Sequence, residues 1–235
     1  MAGSDRYRAY VKREQRRLEG LPYFAESEER QRAFLVMFDA LDQREGEDAA
    51  LEAILRWEVN RCSDPLYRVL ALDYLRHRTA DEVSSGGDAW PATKLERSSV
   101  VRGDLHVQGN LINAVGLTVL GDLRIDGAYV AQGEYPCLHV AGTIHARDLF
   151  GVETETIALG GVRVEGTVWV AYNHTITIAP FVEAHTVCAA DAEISAEVRA
   201  ERRFVDDIPV RALFGFEGDD VDTRVAEWML RRGDA

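Results

Sequence analysis

The chain has 235 residues and a formal net charge of -13, and 46% of its residues are hydrophobic, a composition typical of a globular protein. This acidic balance argues against nucleic acid and anionic membrane as the main partners, because proteins neutralise phosphates with lysine and arginine. The cysteines, Cys62, Cys137 and Cys188, match neither a zinc motif nor a disulfide framework, and no segment has the character of a signal peptide or a membrane span. We therefore expect a cytoplasmic protein.

Residues 1–85 have the apolar spacing of amphipathic helices. We expect helices near residues 7–18, 26–44, 48–61 and 64–75. The last has the clearest start signal, with Asp64 as the N-cap and Pro65 at the first helical position. A stretch rich in serine and glycine, residues 84–88, then ends the helical pattern and indicates a linker.

From Val100 the apolar period changes to two, and the pattern repeats along the chain. Aligned copies begin at Gly103, Gly121, Gly142 and Gly160, at intervals of 18, 21 and 18 residues. Each begins with glycine and then alternates apolar with polar residues, as in the segment 103–109, GDLHVQG. Regular self-similarity at this period predicts a stacked solenoid, because one coil alone cannot bury its apolar face.

Alternation predicts which side chains of the repeats fill the coil and which face solvent. The residues expected inside are Leu105, Val107, Leu123, Ile125, Ile144, Val162 and Val164. The glycine that starts a copy is expected to turn a corner with positive φ. Asp104 and Asp122, which follow such glycines, are expected to cap the turn by bonding their own backbone.

After Ala200 the repeat fades, and a short helix is expected over residues 222–232. We expect both open ends of the solenoid to be covered, one by the preceding helices and the other by this segment. The fold prediction is α+β: an α-helical domain (1–88), a single-stranded parallel β-helix (89–204), and a C-terminal cap with a short helix (205–235). About five coils, wound right-handed, are expected in the β-helix.

No catalytic constellation is recognisable in the sequence: there is no nucleophile elbow, zinc-protease motif or phosphate-binding loop. Glycines six residues apart, such as Gly103 and Gly109, are similar in spacing to hexapeptide-repeat acyltransferases, but those enzymes need several continuous hexads. Asp104 and Asp122 occupy equivalent sites on neighbouring coils, as paired carboxylates of a glycosidase would. Capping of the turn explains these aspartates better, so no catalytic residue, metal site or cofactor is predicted.

One outward position of four successive coils holds the residues that we call the ladder: His106, Arg124, His145 and Arg163. The alignment puts Gln108, Asp126, Arg147 and Glu165 in the adjacent column. An arginine separates the two ladder histidines by about 10 Å, which argues against zinc. The ladder is either a basic stripe for a carboxylate-bearing partner or a set of solvent-facing positions that tolerate polar residues.

Two further candidate surfaces lie towards the C-terminus. One is an acidic end that comprises Asp206, Asp207, Asp219 and Asp220. It would suit a basic protein, or these acids are ordinary solvated loop and helix-start residues. The other consists of aromatic anchors, Trp169, Tyr172 and Phe181. Trp169 lies between Val168 and Val170, so alternation turns it outward if those valines face the core.

The G-[DN]-L-x-V-x-G pattern, in coils of about 18–20 residues, resembles the bactofilin-like, polymer-forming β-helix proteins of bacteria. More loosely, it is similar to GDL-repeat β-solenoid proteins that occur beside secreted polymorphic toxins as immunity proteins. The resemblance covers residues 100–200 and implies an architecture more than a function. Bactofilin cores stack end to end between short tails, and the long helical region here departs from that pattern.

These observations favour a non-catalytic β-solenoid that binds a protein, namely an immunity protein that neutralises a bacterial toxin domain. Neither nucleic acid nor membrane is an expected partner, whereas self-association is an open alternative. A bactofilin-like structural scaffold is the second hypothesis. The third is a carbohydrate-active or transferase β-helix enzyme.

Overall fold

The computed structural model describes residues 3–20, 47–56, 64–79, 88–216, 218 and 220–232. The chain forms two compact units, Met1–Val83 and Ser84–Ala235. The second unit holds both the solenoid and the helices that follow it. Every helix in the described ranges is too short or too polar to cross a lipid bilayer.

The first unit contains helices at three of the four predicted places: α1 (Gly3–Glu19), α2 (Glu47–Leu55) and α3 (Pro65–Thr79). The helix predicted over residues 26–44 lies outside the described residues. The start of α3 is as predicted, since Asp64 Oδ1 accepts a 2.8 Å hydrogen bond from the Leu66 N–H.

The second unit is a parallel β-solenoid of about six coils, which confirms the predicted architecture. Its strands are β1 (Asp88–Leu95), β2 (Ser99–Val101), β3 (Leu105–Asn113), β4 (Gly116–Val119), β5 (Leu123–Ala131), β6 (Cys137–Val140), β7 (Thr143–Val152), β8 (Glu155–Ala158), β9 (Gly161–Ala171), β10 (Ile176–Ala190) and β11 (Glu193–Val205). The coil that the prediction missed begins at β1, whose sequence DAWPATKL has neither the starting glycine nor a clean alternation.

Each coil has three sides, because register shifts bend the long strands and a short strand completes the turn. In the coil that starts at Gly103, side A is residues 105–107, side B is 111–113 and side C is 117–119. All the predicted interior residues of the repeats are buried in one core cluster that runs through the stacked coils. The alternation therefore gave the correct phase for every aligned copy.

The starting glycines serve close stacking and do not adopt positive φ, so the expected left-handed corner at these positions is wrong. A Cβ on Gly142 would lie 2.7 Å from the Gly121 carbonyl oxygen of the preceding coil, a distance too short for an ordinary van der Waals contact. The Gly142 N–H donates to that same oxygen at 2.9 Å, and the Gly160 N–H donates to the Gly142 oxygen at 2.8 Å. Glycine is required there because backbone meets backbone.

The corner aspartates are structural, but they bond the next coil rather than their own turn. Asp104 Oδ1 accepts a 2.8 Å hydrogen bond from the Asp122 N–H. Asp122 Oδ1 in turn accepts one of 2.7 Å from the Thr143 N–H. The expectation of a local turn cap is thus corrected: these carboxylates tie successive coils together at one corner.

The C-terminal helices, α4 (Val210–Phe214) and α5 (Val221–Arg231), lie along side B rather than over the last coil. They cover an outward apolar column that includes Val130, Phe150, Trp169 and Cys188. Within the described part of the chain, β11 pairs only with β10. The prediction that the C-terminal segment caps the end of the solenoid is therefore wrong, because the apolar face of α5 matches side B instead.

Candidate functional site

Side A is the side of the solenoid whose outward residues stay exposed or half-buried. On side B the corresponding residues lie beneath α4 and α5. On side C the outward residues Thr118, His139, Ile157 and Ile178 are all buried. Among the described coils, the surface available to a large partner is therefore concentrated on side A, and this is the side that carries the ladder.

The structure brings the predicted ladder together as one column. Strand pairing aligns His106 with Arg124, Arg124 with His145, and His145 with Arg163. The column continues through two residues that the sequence alignment missed, Glu183 and Arg199. Their coils lack the starting glycine, so the sequence carried no marker for their register.

The first two residues of the ladder, His106 and Arg124, pair with a carboxylate of the neighbouring column. Asp126 lies 2.8 Å from His106 Nε2 through one oxygen and 3.2 Å from Arg124 Nε through the other. Desolvation opposes ionisation of Asp126, but the hydrogen bonds from His106 and Arg124 outweigh it and hold the pKa of Asp126 below its ordinary value. The paired ladder therefore presents both signs of charge.

The last part of the ladder, from Arg163 to Arg199, contacts an aromatic ring. The guanidinium of Arg163 lies 5.4 Å from the centroid of the Phe181 ring, and that of Arg199 lies 5.0 Å from it. Arg163 Nε also lies 3.7 Å from Glu183 Oε2. Gly161 makes room for the ring, since a Cβ there would lie 2.4 Å from Phe181 Cζ. Of the predicted aromatic anchors, Phe181 is the one that lies on side A.

A shallow groove of about 330 Å³ runs between the ladder and the adjacent column. Its charged lining consists of Arg124, Asp126, His145, Arg163, Glu165 and Glu183. Within the described residues, His145 and Glu165 have no ion-pair partner. The groove is thus zwitterionic rather than a basic stripe, and it presents both donors and acceptors to a partner.

Arg147 does not join the column that the alignment assigned to it. An irregularity in strand pairing follows Ala146, and the Arg147 side chain turns towards α5, where it donates to the Met229 carbonyl oxygen. It also lies 2.8 Å from the buried carboxylate of Asp148. Gln108, Asp126 and Glu165 remain on the outward face.

The aromatic candidates near α5 differ in accessibility. Trp169 points out of the coil, as alternation predicts, but it is only 3% exposed because α4 and α5 cover it. Its Nε1 donates to Asp222 Oδ1 at 2.7 Å, so it is not available as a surface anchor. Tyr172 is 49% exposed. The interaction of its hydroxyl with the carboxylate of Asp222, together with the negative charges of Glu153 and Asp220, raises the pKa of Tyr172.

The predicted acidic end is distributed over two places. Asp206 and Asp207 follow β11, and both are exposed. Asp206 Oδ1 accepts a 3.1 Å hydrogen bond from the Asp191 N–H. Asp220 precedes α5 and is close enough to Tyr172 to affect its pKa, whereas Asp219 lies outside the described residues.

The buried pair His139 and Glu155 and the corner aspartates make contacts within the fold. His139 Nε2 lies 2.8 Å from Glu155 Oε1, and both residues are buried. Over the described ranges, no group of three or more potential ligands is arranged to hold a metal ion. Asp104 and Asp122, the candidate carboxylate pair, each direct Oδ1 at a backbone N–H of the next coil.

Comparisons with protein-family models, with curated proteins and with solved structures found no match to this chain.

Proposed function

We propose that the chain is a non-catalytic β-solenoid that binds a protein partner through side A. The observation that carries the proposal is that side A stays exposed over successive coils while the outward residues of sides B and C are buried. Side A also offers an aromatic ring, Phe181, that two guanidiniums contact. Aromatic and arginine side chains are the residues most often found at the energetic centres of protein interfaces.

The charge pattern of side A favours a protein over a polyanion. The carboxylates of Asp126, Glu165 and Glu183 lie among the cations of the ladder, so a row of phosphates would meet repulsion at several of the coils. The net charge of -13 adds a long-range repulsion. A protein surface that carries both charges can instead pair with each in turn.

We propose further that the partner is a toxin domain and that binding in the bacterial cytoplasm neutralises it. Support comes from the repeat pattern, which is similar to that of solenoid immunity proteins. The contacts of His139 with Glu155 and of the corner aspartates with backbone N–H groups also support a binding role, because these groups hold the coils together rather than converge on a substrate.

Co-expression with the product of the adjacent gene tests this proposal. If that product is the toxin, cells that express it alone should stop growing, and cells that also express this chain should recover. The two proteins should co-purify as a discrete complex. Failure to protect the cells, together with the absence of a complex between the purified proteins, would contradict the proposed function.

A structural scaffold is the second candidate, and the open edge of β11 favours it. In the described part of the chain this strand has one neighbour, and its inward residues Ile194, Val198 and Ala200 are only partly buried. An unpaired strand edge with an apolar interior can template further pairing. Sedimentation velocity over a range of concentrations distinguishes the candidates: growing assemblies favour the scaffold, and a fixed small species favours the binding protein.

A further inference from the structure

A second groove, of about 450 Å³, lies on the outer face of α5. It shares no residue with the ladder, which lies on side A. Its lining residues are Phe216, Arg224, Glu227, Trp228, Arg231 and Arg232. Three guanidiniums and one carboxylate face this groove, which gives its lining the opposite sign to the net charge of -13. The groove has no role in the proposed function of side A.

A chain of contacting aromatic rings supports the groove. Trp169 on side B contacts Phe214 edge to face at 5.7 Å between ring centroids. Phe214 in turn contacts Trp228 at 5.0 Å and Phe216 at 5.8 Å. Because Trp169 and Phe214 are buried, the two rings that line the groove rest on the solenoid rather than on a free helix.

Two of the arginines place their guanidiniums over these rings. The Arg224 guanidinium is 4.5 Å from the Phe216 centroid, and that of Arg232 is 4.6 Å from the Trp228 centroid. Arg232 is held further by Asp148 Oδ1, at 3.3 Å from Nη1. A guanidinium that is already stacked loses less conformational freedom when it receives a carboxylate, and its planar geometry suits two parallel hydrogen bonds.

We propose that this groove binds the carboxylates of an acidic protein segment, and this goes beyond the proposed function. Charge complementarity selects the ligand: three guanidiniums suit glutamate and aspartate side chains. The size of the groove suits a few side chains, since small-molecule and side-chain sites commonly span about 300–1,000 Å³. A nucleic acid fits less well, because its regularly spaced phosphates extend well beyond the three guanidiniums of the groove.

Arg231 and Glu227 give the test two variants of opposite expected effect. Arg231 Nη2 lies 2.6 Å from Glu227 Oε2, and the Arg231 side chain is 76% exposed, so either residue can be changed without disturbing the core. Arg231→Gln removes a cation from the groove. Glu227→Gln removes the carboxylate that competes for that cation, and a merely structural role would not predict improved binding.

The experiment measures fluorescence anisotropy of a labelled peptide of six glutamates with the full chain at low salt. We expect saturable binding that weakens as salt rises, about tenfold weaker binding by Arg231→Gln, and about threefold tighter binding by Glu227→Gln. Arg97→Gln, an exposed change in the loop between β1 and β2, should bind as the native chain does.

Equal binding by all four proteins would overturn the proposal, as would tighter binding of a single-stranded DNA of matched charge. Absence of peptide binding would overturn it too, while leaving the complex through side A intact. Arg124→Glu lies on side A and should leave peptide binding unchanged. Failure of the groove is therefore distinguishable from failure of the proposed function.

Discussion

The carboxylate of Asp104 accepts a 2.8 Å hydrogen bond from the backbone N–H of Asp122, the equivalent residue of the next coil. The same relationship recurs between Asp122 and Thr143, and at another corner between Asn110 and Ala128. Side chains thus supply hydrogen-bond acceptors where the strand pairing is interrupted. The register of the coils is fixed at their corners as well as by their strands.

Removing one corner carboxylate should weaken the stack. We expect Asp122→Ala to lower the free energy of unfolding of the solenoid by about 1 kcal/mol, because the Thr143 N–H loses its acceptor but can still reach water. Urea unfolding followed by the β-sheet circular dichroism signal measures this change. Asp207→Ala is the control, since within the described residues that exposed carboxylate accepts no hydrogen bond. Equal effects of the two changes would contradict this role of Asp122.

The stacked glycines should tolerate no side chain, whatever their backbone dihedral angles. At Gly142, φ is not positive, yet a Cβ would lie 2.7 Å from a carbonyl oxygen. At Gly215, φ is +78° and no atom lies within 4 Å of the Cβ position. We expect Gly142→Ala to cost about 3 kcal/mol and Gly215→Ala about 1 kcal/mol in urea unfolding. The reverse order would show that backbone strain, rather than close stacking, determines where glycine is needed.

Asp222 should control the ionisation of Tyr172. Asp222→Asn keeps an acceptor for Trp169 but removes the negative charge, so the pKa of Tyr172 should fall towards its ordinary value of about 10. The difference in ultraviolet titration between proteins with and without Tyr172→Phe isolates this tyrosine. Asp207→Asn is the control for a general change of charge. An unchanged Tyr172 pKa in Asp222→Asn would contradict this influence of Asp222.

The same influence of Asp222 on Tyr172 makes the stability of the second unit depend on alkaline pH. Because folding raises the pKa of Tyr172, its contribution is fully present below the unfolded pKa of about 10. It is lost as the pH rises through the folded pKa. As the pH rises from about 10 through the folded pKa, the native chain should therefore lose more stability than the Tyr172→Phe variant does. Thermal unfolding at a series of pH values measures this difference.

The sequence predicted the solenoid because a period of two, repeated in register, leaves few alternatives for burying the apolar residues. Leu105, Leu123, Ile144 and Val162 stack as expected, and so do the four residues of the ladder. These features depend only on local alternation and on the alignment of copies. No knowledge of the corners was needed for them.

The corners and the covering of the sides could not be predicted. Tyr135, Glu153, Tyr172, Asp191 and Asp206 all have positive φ, and each lies at the corner that follows side B. Few of these residue types signal such a conformation. The position of α5 depends on the outward apolar column that includes Phe150 and Trp169. These residues form one column on side B only because the long strands bend, and the sequence does not show where they bend.

The mixed charge of side A could not be predicted from the sequence either, because it depends on which outward residues of successive coils lie next to each other. Arg147 occupies the aligned position beside Asp126, yet an irregular coil turns it to α5. Glu183 enters the ladder from a coil with no starting motif. The predicted basic stripe therefore became a groove of mixed charge, and its expected partner changed accordingly.

The affinity of side A for the toxin domain tests the central claim most directly. Isothermal titration calorimetry should compare three proteins: the native chain, the double variant that combines Arg124→Glu and Arg163→Glu, and the control Arg97→Glu. Both variants should first show the circular dichroism spectrum of the native chain. We predict at least about tenfold weaker binding for the double variant, because both cations reverse at the partner surface, and unchanged binding for the control. Native affinity of the double variant for the toxin domain would contradict binding through side A.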